Sequence, residues 1–96
     1  MPLLTTDEPG HYDFKTDNVH FWMVAGTRRV RCAVSFDALL LLDPDAAQGP
    51  RSWGRRVFDA HRARIEGVAS AKYDKRESDA DGTIVVRTQN LRPVAA

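Results

Sequence analysis

The residues best suited to chemistry lie close together in Phe58–Glu66, FDAHRARIE. A histidine stands between an aspartate and two arginines, and a glutamate closes the run. His61 is the one side chain there that exchanges a proton near neutral pH. The chemistry on offer is therefore general acid–base catalysis, with an arginine to steady an anion. Helical spacing argues against it. Val57, Phe58, His61, Ile65, Val68 and Ala69 recur at i, i+3, i+4 and i+7, which puts His61 inside the apolar stripe. Asp59 is two residues away, shares no face with His61 and cannot orient its ring. Asp59 is spaced to pair with Arg55 or Arg62, and Glu66 with Arg62. Such a solvated ladder contributes about 0.2–0.5 kcal/mol per pair. His61 is thus expected as a half-buried core histidine with one hydrogen bond, and an enzyme centred on it ranks last among the functional readings.

The other reactive side chains add little. His11, His20, His61 and Cys32 are the only imidazole and thiol donors, and none sits at a recognised ligand spacing, so no metal is expected. There is no G-x-S-x-G motif and no glycine-rich phosphate loop; the glycines are scattered. No catalytic residue and no cofactor is assigned. Cys32 is the single cysteine, so no disulfide forms within the chain, which suits a reducing compartment. The start MPLLTTDEPG lacks the basic and apolar regions of a signal peptide, and no run reaches the roughly 20 apolar residues of a membrane span. A soluble, cytoplasmic protein with no membrane partner is expected.

The elements that would position any site follow from local patterns. The 96 residues imply one domain, and 43% hydrophobic with 28% charged residues is the composition of a globular one. Residues 1–9 are expected as a flexible N-terminal tail, 10–91 as a single domain and 92–96 as a C-terminal tail. Tyr12 and Phe14 alternate with polar neighbours, and Asp17-Asn18 offers a two-residue turn into the aromatic and β-branched stretch Val19–Val24. Gly26-Thr27 suits a type II′ turn into a third strand, Arg28–Ser35. With these turns Phe14 would face Phe21, and Tyr12 would face Met23. Met23 would face Val30, Phe21 Cys32 and Val19 Val34. One apolar face then collects Tyr12, Phe14, Val19, Phe21, Met23, Val30, Cys32 and Val34.

Ser35 can cap a short helix, SFDALLLLD, and Asp37 suits its first turn. Residues 43–50 are a loop by their Pro and Gly content, and one long helix is expected from Pro50 or Arg51 to about Tyr73. Trp53 at its start is expected to anchor it or join the core. A charged turn, Asp74–Gly82, leads to a last strand, TIVVRT, beyond which Leu91 can dock. The fold class is α+β: a three-stranded antiparallel meander, one short and one long helix, then a final strand (β-β-β-α-α-β), with the helices on one face.

The opposite face of that meander carries His20, Trp22, Val24, Arg29 and Arg31. A tryptophan flanked by arginines can anchor a protein partner or stack on bases; it can also simply lie beneath an arginine or the chain terminus. The balance of 14 basic against 13 acidic residues, net +1, argues against a dedicated nucleic-acid-binding domain. Arginines outnumber lysines by 11 to 3, the side chain suited to bidentate contact with carboxylate or phosphate, although codon bias has the same effect.

Taken together, VHFW, VRCAVSFDALLLL, FDAHRARIEGVASAKY and DGTIVVRTQNL resemble a bacterial family of short proteins of unassigned function, domain of unknown function fourteen-eighty-eight, over about residues 11–91. Its helix pattern, F-x-x-N/H-R-x-x-I followed by Ala and Tyr, falls on Phe58, His61, Arg62, Ile65, Ala69 and Tyr73. The resemblance implies a small α+β domain and brings no activity, cofactor or catalytic residue. At the position of His61 the pattern also admits Asn, and asparagine cannot titrate at physiological pH, which weakens a proton-transfer role there. The expected function is a non-enzymatic interaction module. It would bind an unknown protein partner or a second copy of itself through His20, Trp22, Arg29 and Arg31. The alternative is weak nucleic-acid binding or regulation through the same face.

Overall fold

The computed structural model of the protein describes residues 3–6 and 8–91. Five strands form one sheet: β1 (Leu4–Thr5), β2 (His11–Asp13), β3 (Asn18–Ala25), β4 (Arg28–Ser35) and β5 (Ile84–Val86). Helices α1 (Phe36–Leu42), α2 (Gly54–Ala60), α3 (Arg62–Asp74) and α4 (Thr88–Leu91) lie on one side of it. β1 and β2 both pair antiparallel with β3, β3 pairs antiparallel with β4, and β5 pairs parallel with β4. This is the expected α+β class, with one strand more at the start and the helical region divided further.

The β3–β4 hairpin has the expected register, with Ala25 opposite Arg28, Met23 opposite Val30, Phe21 opposite Cys32 and Val19 opposite Val34. Its cause is local. Gly26 sits at φ 65 while Thr27 stays at negative φ, the combination a type II′ turn requires. All six inward residues of this pair are buried, with Phe36, Leu39, Phe58, Ile65, Ala69 and Leu91 closing over them. Ser35 caps α1 as expected, its hydroxyl accepting from the Ala38 N–H.

The first hairpin differs. Tyr12 faces Val19, and Asp13 faces Asn18, so the turn spans Phe14–Asp17 instead of two residues. The Asp13 carboxylate accepts from the Lys15 N–H at 2.9 Å, the Asp13 carbonyl accepts from the Asp17 N–H at 2.8 Å, and Asp17 adopts φ 57. These local bonds widen the turn. The partner of Tyr12 moves by an even number of residues, so Tyr12 keeps its side and packs against the core. Phe14 leaves the sheet altogether and is 77% exposed.

Three further expectations change. Residues 4 and 5, expected within a tail, are a strand against β3, and Leu3 is buried. Residues 1, 2, 7 and the expected tail 92–96 lie outside the described residues. The long helix is two helices, broken at His61, whose φ of −117 and ψ of 19 are not helical. Its N–H is shared between the Val57 and Phe58 carbonyls. The break lets α2 pack under β2 and β3 while α3 runs along β5. The apolar spacing continues through the break, so tertiary packing overrides the local pattern. Trp53 lies outside the core at 39% exposure, and its ring packs so closely on Gly49 that an added Cβ there would come within 2.0 Å of it.

The sheet's last strand is held by side chains as well as by its ladder. The Lys72 ammonium on α3 donates to the Val85 carbonyl at 2.6 Å and to Asn90 Oδ1 at 3.3 Å. Burial lowers its pKa from the usual lysine value, with Arg87 adding to the effect. Beyond Lys72 the helix ends in a Schellman motif: the Arg76 N–H reaches the Tyr73 carbonyl and the Glu77 N–H the Lys72 carbonyl. Arg76 occupies the position usually given to glycine, at φ 60.

Candidate functional site

Strand pleating brings His20, Trp22, Val24, Arg29 and Arg31 onto the side of the sheet that, among the described residues, carries no helix. Trp22 stands directly opposite Arg31, and Val24 opposite Arg29. The Arg29 guanidinium lies 4.5 Å from the Trp22 ring centroid and that of Arg31 5.5 Å. Both distances are within cation–π range, worth about 0.5–1 kcal/mol each at an exposed site. Trp22 is only half-buried. The expected grouping is therefore present, with the indole partly covered by its own neighbours.

The N-terminal segment borders this face. Glu8 forms an ion pair with Arg29. Thr6 Oγ1 donates to the Trp22 carbonyl at 3.0 Å. His20 lies further along β3, with its Nε2 at 3.5 Å from the Asp13 carboxylate and 3.2 Å from the Thr16 hydroxyl. His11 is its cross-strand neighbour. Among the described residues no group of three His, Cys, Asp or Glu side chains is arranged to hold a metal ion.

Two clefts meet at Trp22 and Arg31. One, of about 540 Å³, runs past Glu8, Pro9, His11, Asp13 and His20. The other, of about 770 Å³, lies between Arg28–Arg31 of β4 and the segment from Tyr73 to Ile84. The second wall was not foreseen from the sequence. It depends on the parallel return of β5, which carries the Asp74–Thr83 turn alongside β4. The charged residues of that turn gave the only available signal. Asp81 is committed to its own loop: its carboxylate accepts from the Thr83 N–H at 3.0 Å, and this bond lowers its pKa below the usual value.

The helical run that first suggested chemistry is elsewhere. His61 is half-buried at the α2–α3 junction, the degree of burial expected for it, and neither cleft is lined by it. Asp59 pairs with Arg55 at 3.9 Å. Arg62 and Glu66 pair as expected, Nε to Oε2 at 3.1 Å, but Glu66 is buried and not solvated. Glu66 also accepts from the Thr5 hydroxyl at 2.9 Å, and Arg62 donates to the Thr6 carbonyl at 3.0 Å. The pair therefore fastens the N-terminal strand to α3.

Cys32 is fully buried, and burial pushes its thiol up to about 12. The native protein is accordingly expected to be unreactive towards Ellman's reagent at pH 8, with one thiol appearing in urea. Fast labelling of the native protein would contradict this. A folded pKa above the unfolded value of 9.0 also means that the unfolded thiol ionises first. Stability from this group is complete below pH 9 and is lost as pH rises towards 12. Cys32→Ala is expected to flatten that alkaline decline in the urea midpoint.

No helix among the described residues is long and apolar enough to cross a membrane. Comparison with curated proteins gives no match. Among solved structures, the chain is similar to the crystal structure of a protein of unknown function from the DUF1488 family of Shewanella loihica. The identity is 21% and the TM-score 0.75, over 88% of this chain and 91% of that one. At that identity the likeness concerns the fold. The family model described as "Protein of unknown function (DUF1488)" matches residues 6–86. With its model covering most of the sequence and its fold shared, the chain belongs to the DUF1488 family.

Proposed function

We propose that the protein is a non-catalytic interaction module that binds a protein partner, or a second copy of itself, through the helix-free face of its sheet. One observation carries this reading: half-exposed Trp22 stands under two guanidinium groups where two clefts meet. Tryptophan and arginine are the residue types that dominate binding hot spots, because each covers a large area and loses little freedom when it docks. Arg31 and Trp22 are cross-strand neighbours on a rigid ladder, so both are positioned before any partner arrives.

Replacing Trp22 and Arg31 together by alanine is expected to abolish partner capture or self-association. The melting temperature should fall by no more than about 4–8 °C, the equivalent of roughly 1 kcal/mol in a domain this size. Capture from native lysate, sedimentation and thermal melts on the same two proteins make the test. A large fall in stability with binding unchanged would place Trp22 in a structural role and refute the proposal. Retention of nucleic acid at low salt, lost steeply as salt rises, would assign the face to a phosphate backbone instead.

A further inference from the structure

β4 is eight residues long and pairs with β3 along its whole length, but β5 pairs only with Cys32, Ala33 and Val34. Among the described residues the stretch Arg28–Arg31 therefore has a partner strand on one side only. In a two-residue hairpin the closing residues, here Ala25 and Arg28, exchange hydrogen bonds with each other. Alternation then turns the N–H and C=O groups of Arg29 and Arg31 away from β3. The parallel pairing of Cys32 with Ile84 takes the Arg31 carbonyl, which leaves both groups of Arg29 and the N–H of Arg31 open. They point towards the larger cleft, which this stretch lines.

The side chains bordering that edge alternate with the pleat. Val30 is buried towards the helices, with Ile84 and Tyr73 near it in the cleft, whereas Arg29 and Arg31 stand on the opposite side with Trp22. A strand laid along this edge would place every second side chain among apolar groups and every other one among guanidiniums. Arg28 and Arg31 form no ion pair among the described residues, and neither does Arg76 on the facing wall. Arg76 moreover keeps a left-handed backbone that glycine would adopt without strain. The acids of the cleft, Asp74, Glu77 and Asp81, belong to the end of α3 and the facing turn and not to the strand, and the Arg31 charge reaches Asp81 without pairing with it.

We infer that the ligand of this face is an extended peptide of alternating apolar and acidic residues, which adds as a strand to the open edge of β4 at Arg28–Arg31. This rests on the binding-module reading and specifies its partner. Main-chain hydrogen bonds to Arg29 and Arg31 supply the attachment, as in other strand-addition complexes. The acidic side chains meet Arg31 and, in place of Glu8, Arg29, and the apolar ones meet Val30 and Tyr73. Four residues, about 13 Å at ~3.3 Å each, span the open stretch.

The test uses the full chain and a fluorescein-labelled hexapeptide of alternating Val and Glu with blocked ends, followed by anisotropy. Two further peptides carry Lys in place of Glu, or N-methyl groups at alternate residues. The Glu peptide is expected to bind, at least tenfold more tightly than its N-methylated form, and the Lys peptide not to bind. Amide exchange at Arg29 and Arg31 should slow in the complex. Arg31→Glu should reverse the preference between Glu and Lys peptides. Arg76→Gly should weaken binding while raising the urea midpoint, which separates loss of binding from loss of fold. Binding that ignores N-methylation, or leaves the Arg29 and Arg31 amides unprotected, would overturn strand addition while sparing the face. Failure of all three peptides to bind would overturn the inference too. The face would then still be judged separately, by the capture experiment with the Trp22 and Arg31 variant.

Discussion

Truncating Phe58 to alanine is expected to cost about 3–5 kcal/mol, the range for removing a buried aromatic ring. Phe58 has no exposed surface, and its ring lies 4.8 Å from that of Phe21, tilted by 35°. It also meets the chain entering β2, where an added Cβ on Gly10 would come within 2.7 Å of it. The side chain thus ties α2 to β3 and to the segment before β2, and no neighbouring element is free to collapse into the space. A domain of this length has roughly 5–14 kcal/mol of total stability at ~0.05–0.15 kcal/mol per residue. One substitution would remove a large share of it. Urea unfolding measures the loss. Phe14→Ala is the internal contrast, because Phe14 stands exposed in the turn and should change stability by less than about 0.5 kcal/mol. Equal losses at the two positions would mean that the first hairpin pairs in the two-residue register after all.

The second large effect is expected at Glu66. Its carboxylate is shared between Arg62 and Thr5, with side-chain exposures of 11% for Glu66 and 22% for Arg62. Removing one partner from a buried ion pair costs about 3–5 kcal/mol because the other charge is left uncompensated. Arg62 keeps some water and its bond to the Thr6 carbonyl, so Glu66→Ala should fall at the lower end, about 3 kcal/mol. The loss should also be local. Leu3 donates to the Ser70 hydroxyl, Thr5 donates to Glu66 and Arg62 donates to the Thr6 carbonyl, so beyond its pairing with β3 the first segment is tied to α3. Amide exchange in residues 3–6 should accelerate before that in β3 and β4. Replacing both members, Arg62→Met with Glu66→Leu, should recover much of the loss, since an apolar pair avoids the desolvation cost. A surface pair would instead show a change below about 1 kcal/mol and no selective release of the first strand.

These two residues also show where the sequence speaks and where it does not. The β3–β4 hairpin was legible because Gly26 dictates its turn and strict alternation dictates its face. That alternation also brought His20, Trp22, Arg29 and Arg31 together. The β2–β3 register was not legible from a dipeptide. It follows from a carboxylate bonding two residues ahead at Asp13 and from a left-handed Asp17. Glu66 read as a solvated residue because helical spacing reveals its partner at Arg62 but not what covers the pair. The cover is Leu4–Thr5, a strand too short to carry a pattern, which pairs with β3 and is tied by side chains to residues of α3 more than sixty positions away. The break at His61 leaves no mark, since the apolar spacing runs straight through it. The cleft beside Trp22 needed the parallel placement of β5, a long-range choice that no local signal encodes.

The binding role of the helix-free face can be tested against the opposite side of the molecule. A photo-reactive benzoylphenylalanine placed at Val24, beside Trp22, and another at Arg55, exposed on α2, would each be irradiated in living cells. Defined adducts from position 24 that disappear with Trp22→Ala, and none from position 55, are the predicted result. Adducts from position 55 alone would contradict the assignment of function to this face.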